Sequence, residues 1–250
     1  MLSNNSIKLI ASLKQKKYRE QHGLFVAEGV KITNELLESD IKIKTLIGTP
    51  AWFSQQKITN RQIECHEVNA TILKKISSLV EPNEVLSVCE IPQHEIKISA
   101  LKNSFSLVLD SIRDPGNLGT IIRIADWFGI KNIICSEDCV DAYNSKTIQS
   151  SMGSIGRVNI AYINIVDLIH DALTEQMPVY AADLNGESIT RSTLSKTGLL
   201  VIGSESHGLR KDLQQAIKHK LLIPSIGKAE SLNAAIATAI ICYEFSKIRS

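Results

Sequence analysis

The chain has 250 residues, with 28 Lys and Arg against 26 Asp and Glu, 44% hydrophobic residues and 5% aromatic ones, a length that at roughly 100–200 residues per domain means one large or two modest domains with a real core. This composition excludes disordered and collagen-like chains, and the longest uncharged run, 231–243, contains Asn233 and is shorter than the about 18 apolar residues of a membrane span. Residues 1–20 scatter Asn, Ser and Lys among apolar residues, so they hold no signal-peptide core and the protein is expected to be cytoplasmic.

Apolar periodicity predicts a helix over 6–13, a strand over 24–27, a helix over 30–38 and a strand over 43–47, a small N-terminal α/β domain. Within it Lys8, Lys14, Lys16, Lys17 and Arg19 come before any acidic residue. Such a run is either a solvated face or a set of phosphate contacts, and composition leaves both open. Residues 87–101 mix Pro92, His94 and alternating charges without a helical stripe. The expected division is therefore a first domain over 1–95, a linker over about 96–103 and a second domain over 104–250. In the second domain strand-like runs at 105–109, 132–135, 157–163, 178–182, 199–203 and 221–224 alternate with helical stretches. That alternation predicts a mostly parallel sheet covered by helices on both faces.

The five cysteines, Cys65, Cys89, Cys135, Cys139 and Cys242, are odd in number and far apart. Neither a disulfide framework nor a paired zinc site fits, and no metal is expected.

Three segments carry chemistry. In the first, 109–129, a strand ends at Asp110, Pro115 and Gly116 turn the chain, Asn117 is placed as an N-cap, and a helix runs to Phe128 and stops at Gly129. It lacks the glycine spacing of a dinucleotide loop, because Asp114 stands where a glycine is needed. Arg123 lies six residues beyond Asn117, in a stretch that is otherwise apolar. In the second, 199–209, a buried strand enters a turn with Gly203, Glu205 and Gly208, where backbone groups are free to approach a ligand. Ser204 occupies the leading position of what would otherwise be a G-x-S-x-G elbow, which excludes a serine esterase. In the third, 222–244, Pro224 ends a strand and Ser231 is placed at the start of a long helix rich in alanine. Taken singly, Arg123 reads as a wet-face residue, Glu205 as a cap, Ser231 as an N-cap and Asn233 as a first-turn residue.

Taken together and in this order, the segments resemble the three motifs of the SPOUT superfamily of RNA methyltransferases, in particular its SpoU/TrmH family. Asn117 with Arg123, Gly203 with Glu205 and Gly208, and Pro224 with Ser231, Leu232 and Asn233 match those motifs residue by residue. Residues 14–29, K-Q-K-K-Y-R-E-Q-H-G-L-F-V-A-E-G, are similar to the family's N-terminal substrate-binding domain, itself like small RNA-binding ribosomal proteins. Two departures are Ser206, where many relatives have glycine, and Ala235, often valine.

The resemblance implies a deep trefoil knot in the parallel-sheet domain, a homodimer, and S-adenosylmethionine held by Gly203, Ser204, Ile223, Pro224 and Leu232, chiefly through main-chain groups and apolar contact. It implies methylation of a ribose 2′-oxygen, with ribosomal RNA favoured over transfer RNA because many relatives with this N-terminal domain act there. A base-methylating enzyme and a noncatalytic RNA-binding or ribosome-assembly protein on the same scaffold are the alternatives. Arg123 matches the residue proposed as base. Since arginine stays protonated in proteins, two roles stand open: an arginine of depressed basicity, or a cation that stabilises the developing alkoxide. Asn117, Glu205, Ser231 and Asn233 match the polar shell around it, and Lys14, Lys16, Lys17 and Arg19 are the expected RNA contacts.

Overall fold

The computed structural model describes residues 2–204 and 207–249, with Arg249 described by its backbone alone. Two compact units result: residues through Pro92 join Asp141–Arg157 in the first, and Gln93–Val140 join the chain from Val158 onward in the second. The segment Asp141–Arg157 thus lies inside the range 104–250 but packs with the first unit.

The chain opens with α1 (Asn4–Ser12), α2 (Lys16–His22), β1 (Leu24–Glu28), α3 (Val30–Leu37), β2 (Ile43–Gly48), α4 (Pro50–Ser54), β3 (Glu64–Glu67), α5 (Ala70–Ile76) and β4 (Val85–Glu90). Ser3 starts α1 earlier than the hydrophobic pattern suggests, because its hydroxyl accepts the backbone N–H of Ser6 at 3.1 Å. The first sheet has the order β1-β4-β2-β3, antiparallel where β4 meets β1 and β2 and parallel between β2 and β3. Strand β4 therefore lies inside the sheet, although residues 87–101 show no helical stripe in the sequence and no strand is expected there. Its Val85, Leu86, Val88 and Cys89 are buried, and its one polar interior residue, Ser87, donates to the carbonyl of Ala27 at 3.2 Å. Leu13, Leu24, Ile47, Ile76 and Leu86 share the core of this unit.

Next come α6 (Ile98–Leu101), β5 (Phe105–Leu109), α7 (Pro115–Trp127), β6 (Asn132–Cys135) and α8 (Ser145–Ser151), the last a part of the first unit. The chain continues with β7 (Asn159–Tyr162), α9 (Ile165–Thr174), β8 (Val179–Ser188), β9 (Gly198–Ile202), α10 (Lys211–Ala216), β10 (His219–Leu222) and α11 (Ala234–Arg249). The second sheet has the order β10-β8-β9-β5-β6-β7, and every neighbouring pair is parallel. Strands β5 and β9 are buried along their whole length, which is why both read as continuous apolar runs. Val108, Ile134, Ile165, Val201 and Leu213 share this core. Because β5 and β9 are neighbours, the loops at their carboxyl ends emerge side by side, where open α/β sheets place their ligands. Among the described residues no helix is long and apolar enough to cross a membrane.

Candidate active site

The loop after β5 reaches α7 through Asp114, whose carboxylate accepts the backbone N–H of Asn117 at 2.9 Å, with Pro115 in the first turn. Asp114, not Asn117, is therefore the N-cap. A carboxylate satisfies a free helix N–H and interacts favourably with the positive end of the helix, and Pro115 has no N–H to leave unpaired. Displaced into the first turn, Asn117 accepts a hydrogen bond from the side chain of Asn233 at 2.9 Å.

Asn233 has a second task at the start of α11. Its carboxamide oxygen accepts the N–H groups of Ala235 at 3.0 Å and Ile236 at 3.3 Å, and its carbonyl accepts from Ala237 at 2.9 Å. The helix therefore begins at Ala234, and Ser231 and Leu232 belong to the preceding loop instead of opening the helix. Two asparagines thus join the first turns of α7 and α11.

The turn after β9 is closed on itself. Ser204 and Gly208 exchange backbone hydrogen bonds of 3.1 and 2.9 Å, and the Ser204 hydroxyl accepts the N–H of His207 at 3.3 Å. Gly208 sits at φ 64°, in the left-handed region that favours glycine. A Cβ on Gly203 would lie 2.3 Å from the Gly208 carbonyl carbon, so the strand exit and the turn's return pass too close for any side chain. Glu205, together with Ser206, lies outside the described residues.

Gly203, Ser204, Ile223, Pro224, Ser231 and Leu232 line one cavity of about 610 Å³ in the second unit. Its size lies within the roughly 300–1,000 Å³ of small-molecule sites. Ile202, Ile223, Leu232 and Ile241 supply apolar wall, while Ala234 and Ala237 keep the facing side of α11 low. Polar groups come from Asp183, Ser204, His207, Gln214 and Glu230. A wall of branched aliphatics with a few polar groups suits a molecule that has an aromatic base at one end and charges at the other. S-adenosylmethionine fits that description. Asp183 escaped the sequence reading because β8 was expected to end at Ala182. Instead it continues to Ser188, since its far half pairs with β10 through Glu187 and Ser188.

Arg123 does not line this cavity. It is exposed on α7 and makes no ion pair among the described residues. Trp127, one turn further on, is 84% exposed, and Ile236 and Tyr243 on α11 are 53% and 56% exposed. The two helices pack against each other, so they present a cation and large apolar groups to solvent.

The basic run divides. Lys14, Lys16 and Lys17 are exposed, and Lys16 makes only an exposed ion pair with Glu20 at 3.6 Å. Arg19 was expected on the same surface, and the structure corrects this. It is 3% exposed, and its guanidinium donates to Asp141 at 2.9 and 2.5 Å and to the carbonyls of Leu13 and Lys14 at 2.8 and 2.9 Å. Its charge is paired inside the first unit. The five cysteines are free thiols. Among the described residues no three His, Cys, Asp or Glu groups converge as a metal site.

Comparison with known proteins adds family relationships to this geometry. The profile of the SpoU rRNA Methylase family matches residues 104–243, and that of the MRM3-like substrate binding domain matches residues 4–87. The chain is 28% identical over 241 residues to the 23S rRNA (guanosine(2553)-2'-O)-methyltransferase RlmP of Bacillus subtilis, covering 96% of this chain and 95% of that protein. A TrmH-family protein from Porphyromonas gingivalis superposes with a TM-score of 0.91 at 35% identity, covering 99% of each chain. An AdoMet-bound rRNA methyltransferase from Sinorhizobium meliloti superposes with a TM-score of 0.85 at 32% identity, covering 99% of this chain and 96% of that one.

Proposed function

This chain belongs to the SpoU rRNA methylase family, and from that premise we propose that it is an S-adenosylmethionine-dependent methyltransferase acting on ribose 2′-oxygens of ribosomal RNA. The observation that carries the reading is the meeting of the second and third motif loops around one cavity, with Asn233 set between the lining residues Leu232 and Ala234 and bonded to Asn117 of the first motif. The relative from Bacillus subtilis carries 2′-O-methylation of 23S rRNA in its name, and the neighbour from Sinorhizobium meliloti is bound to AdoMet. On this reading the enzyme works in the cytoplasm, with its RNA.

When bound, S-adenosylmethionine supplies an activated methyl group on a sulfonium, so the protein's work is placement and activation of the nucleophile. Gly203, Ile223 and Leu232 would hold the cofactor, and Asn117, Ser231 and Asn233 would order the polar groups around the ribose. A ribose hydroxyl must lose its proton as it attacks, and the Arg123 cation stabilises the alkoxide that develops.

In open water that cation would do little, because a charge interaction at 4 Å is worth about 1 kcal/mol there and several times more in a low-dielectric site. Covering the outer faces of α7 and α11 removes the water. We therefore read the exposed Trp127, Ile236 and Tyr243 as the interface of a homodimer that encloses Arg123. Light scattering is expected to give twice the 27.6 kDa chain mass, and a monomer at micromolar concentration refutes the dimer.

The test of the function is to map ribose methylation in RNA from cells with and without the protein. One position in ribosomal RNA is expected to lose its resistance to alkaline cleavage, since only ribose methylation removes the attacking 2′-oxygen. Unchanged ribosomal RNA, or a lost methyl on a base, overturns the proposal.

A further inference from the structure

The turn 203–209 has both ends attached to a single residue that lines no part of the cavity. Where the chain leaves β9, the carbonyl of Ile202 accepts the backbone N–H of Asp110 at 2.8 Å. Where it returns, the backbone N–H of Arg210 donates to Asp110 Oδ2 at 2.8 Å. The Arg210 side chain then closes the loop, with Nε and Nη2 donating to Asp110 Oδ1 at 2.8 and 2.6 Å. Asp110 is 1% exposed. A carboxylate so deeply buried is tolerated only when paired and hydrogen-bonded, and Arg210 meets both of its oxygens.

The same residue begins the loop of the first motif. Ser111, next to it, is held at φ 58°, a left-handed conformation that costs energy in a non-glycine residue. Its hydroxyl donates to Asp138 at 2.6 Å and lies 3.0 Å from Asp110 Oδ1, its N–H donates to the Ser136 hydroxyl at 2.9 Å, and Arg210 Nη2 also reaches Asp138 at 3.2 Å. The loops after β5, β6 and β9 are thereby tied at one knot of charge, and a strained backbone persists only where its surroundings fix it this firmly.

We propose that Asp110 and Arg210 form a clamp that sets the width of the turn carrying Gly203, Ser204 and Gly208, which makes both of them positioning residues for the cofactor. The inference rests on the functional reading above, since it concerns the same cavity. Neither side chain lines the cavity. They act through the turn, whose exit and return strands pass so close at Gly203 and Gly208 that a small change in separation moves the cavity wall.

The experiment is titration calorimetry of S-adenosylhomocysteine with the full-length wild type, Arg210→Gln and Arg210→Lys, together with KM for S-adenosylmethionine and kcat. Arg210→Gln is expected to weaken binding about tenfold, which corresponds to about 1.4 kcal/mol, and to raise KM in step while kcat at saturation changes little. Arg210→Lys keeps the charge but not the paired donors, so it should recover part of the loss. Wild-type affinity in Arg210→Gln, or a loss confined to kcat, overturns the clamp while leaving the function intact. A wild type that binds no S-adenosylhomocysteine overturns the functional reading, and the clamp with it. Should Arg210→Gln fail to fold, Arg210→Lys decides alone, and unchanged affinity in it refutes the proposal.

Discussion

Replacing Arg19 by alanine separates a structural charge from an RNA-binding one. The guanidinium makes two hydrogen bonds to Asp141, itself largely buried, and one each to the carbonyls of Leu13 and Lys14, at the end of α1. Summed at their gross value these bonds would overstate the effect, because each replaces a bond to water. Removing one partner of a buried ion pair costs about 3–5 kcal/mol, because the other charge is left behind. At about 2–4 °C per kcal/mol for a chain of this size, the melting temperature should fall by about 6–20 °C. Lys16→Ala is the control, since an exposed pair such as Lys16 with Glu20 is worth about 0.3–0.5 kcal/mol and should shift the midpoint by no more than about 2 °C. Circular dichroism melts provide the comparison. RNA affinity at several salt concentrations, below both midpoints, provides the second readout. Arg19→Ala should leave the salt slope at the wild-type value. A melt within about 2 °C of wild type, or a slope flattened as much as by an exposed lysine, refutes the reasoning.

Replacing Lys14, Lys16 and Lys17 together by alanine should flatten the slope of log affinity against log salt and weaken RNA binding across sequences, while sparing S-adenosylhomocysteine binding; equal slopes in variant and wild type make this segment a wet surface only. Gly203→Ala places a methyl 2.3 Å from the Gly208 carbonyl carbon and 2.6 Å from the Leu209 nitrogen, so it should cost about 1–3 kcal/mol of stability and abolish S-adenosylhomocysteine binding in calorimetry. Binding at wild-type strength would mean that the close passage of Gly203 and Gly208 is irrelevant to the cavity. Arg123→Ala should abolish methyl transfer and leave cofactor affinity unchanged, because Arg123 does not line the cavity. Substantial activity in Arg123→Lys supports charge stabilisation, and full activity in Arg123→Ala removes the residue from the mechanism.

What the sequence made legible follows from how local each signal is. Strands β5 and β9 are buried on both faces, so their apolar runs are visible without a partner. The motif residues Gly203 and Ile223 sit where strands end, and turn chemistry marks such places. β4 was missed because Ser87, Glu90 and Pro92 break its pattern, and its place in the sheet interior depends on pairing with β1 and β2, far away in sequence. Asn117 was misplaced as a cap because Asp114 and Asn117 are both good caps, and only the position of Pro115 inside the helix decides between them. Arg19 looked like its neighbours because its partner, Asp141, lies 122 residues away. The Asp110–Arg210 link is hidden for the same reason, with 100 residues between its partners.

The return of Asp141–Arg157 to the first unit has a consequence for synthesis. Translation at roughly 5–20 residues per second needs about 6–24 s to travel from Arg19 to its carboxylate. Through that interval the nascent first unit lacks not only Asp141 but also Tyr143, whose ring lies 4.9 Å from that of Phe25, and Gln149, whose side chain donates to the Glu28 carbonyl at 2.8 Å. Those three late arrivals must find their places after the strands β5 and β6 have already emerged. A gene fragment cut anywhere in the linker therefore encodes an unfinished N-terminal half, and the half that follows carries a segment whose packing partners were left behind.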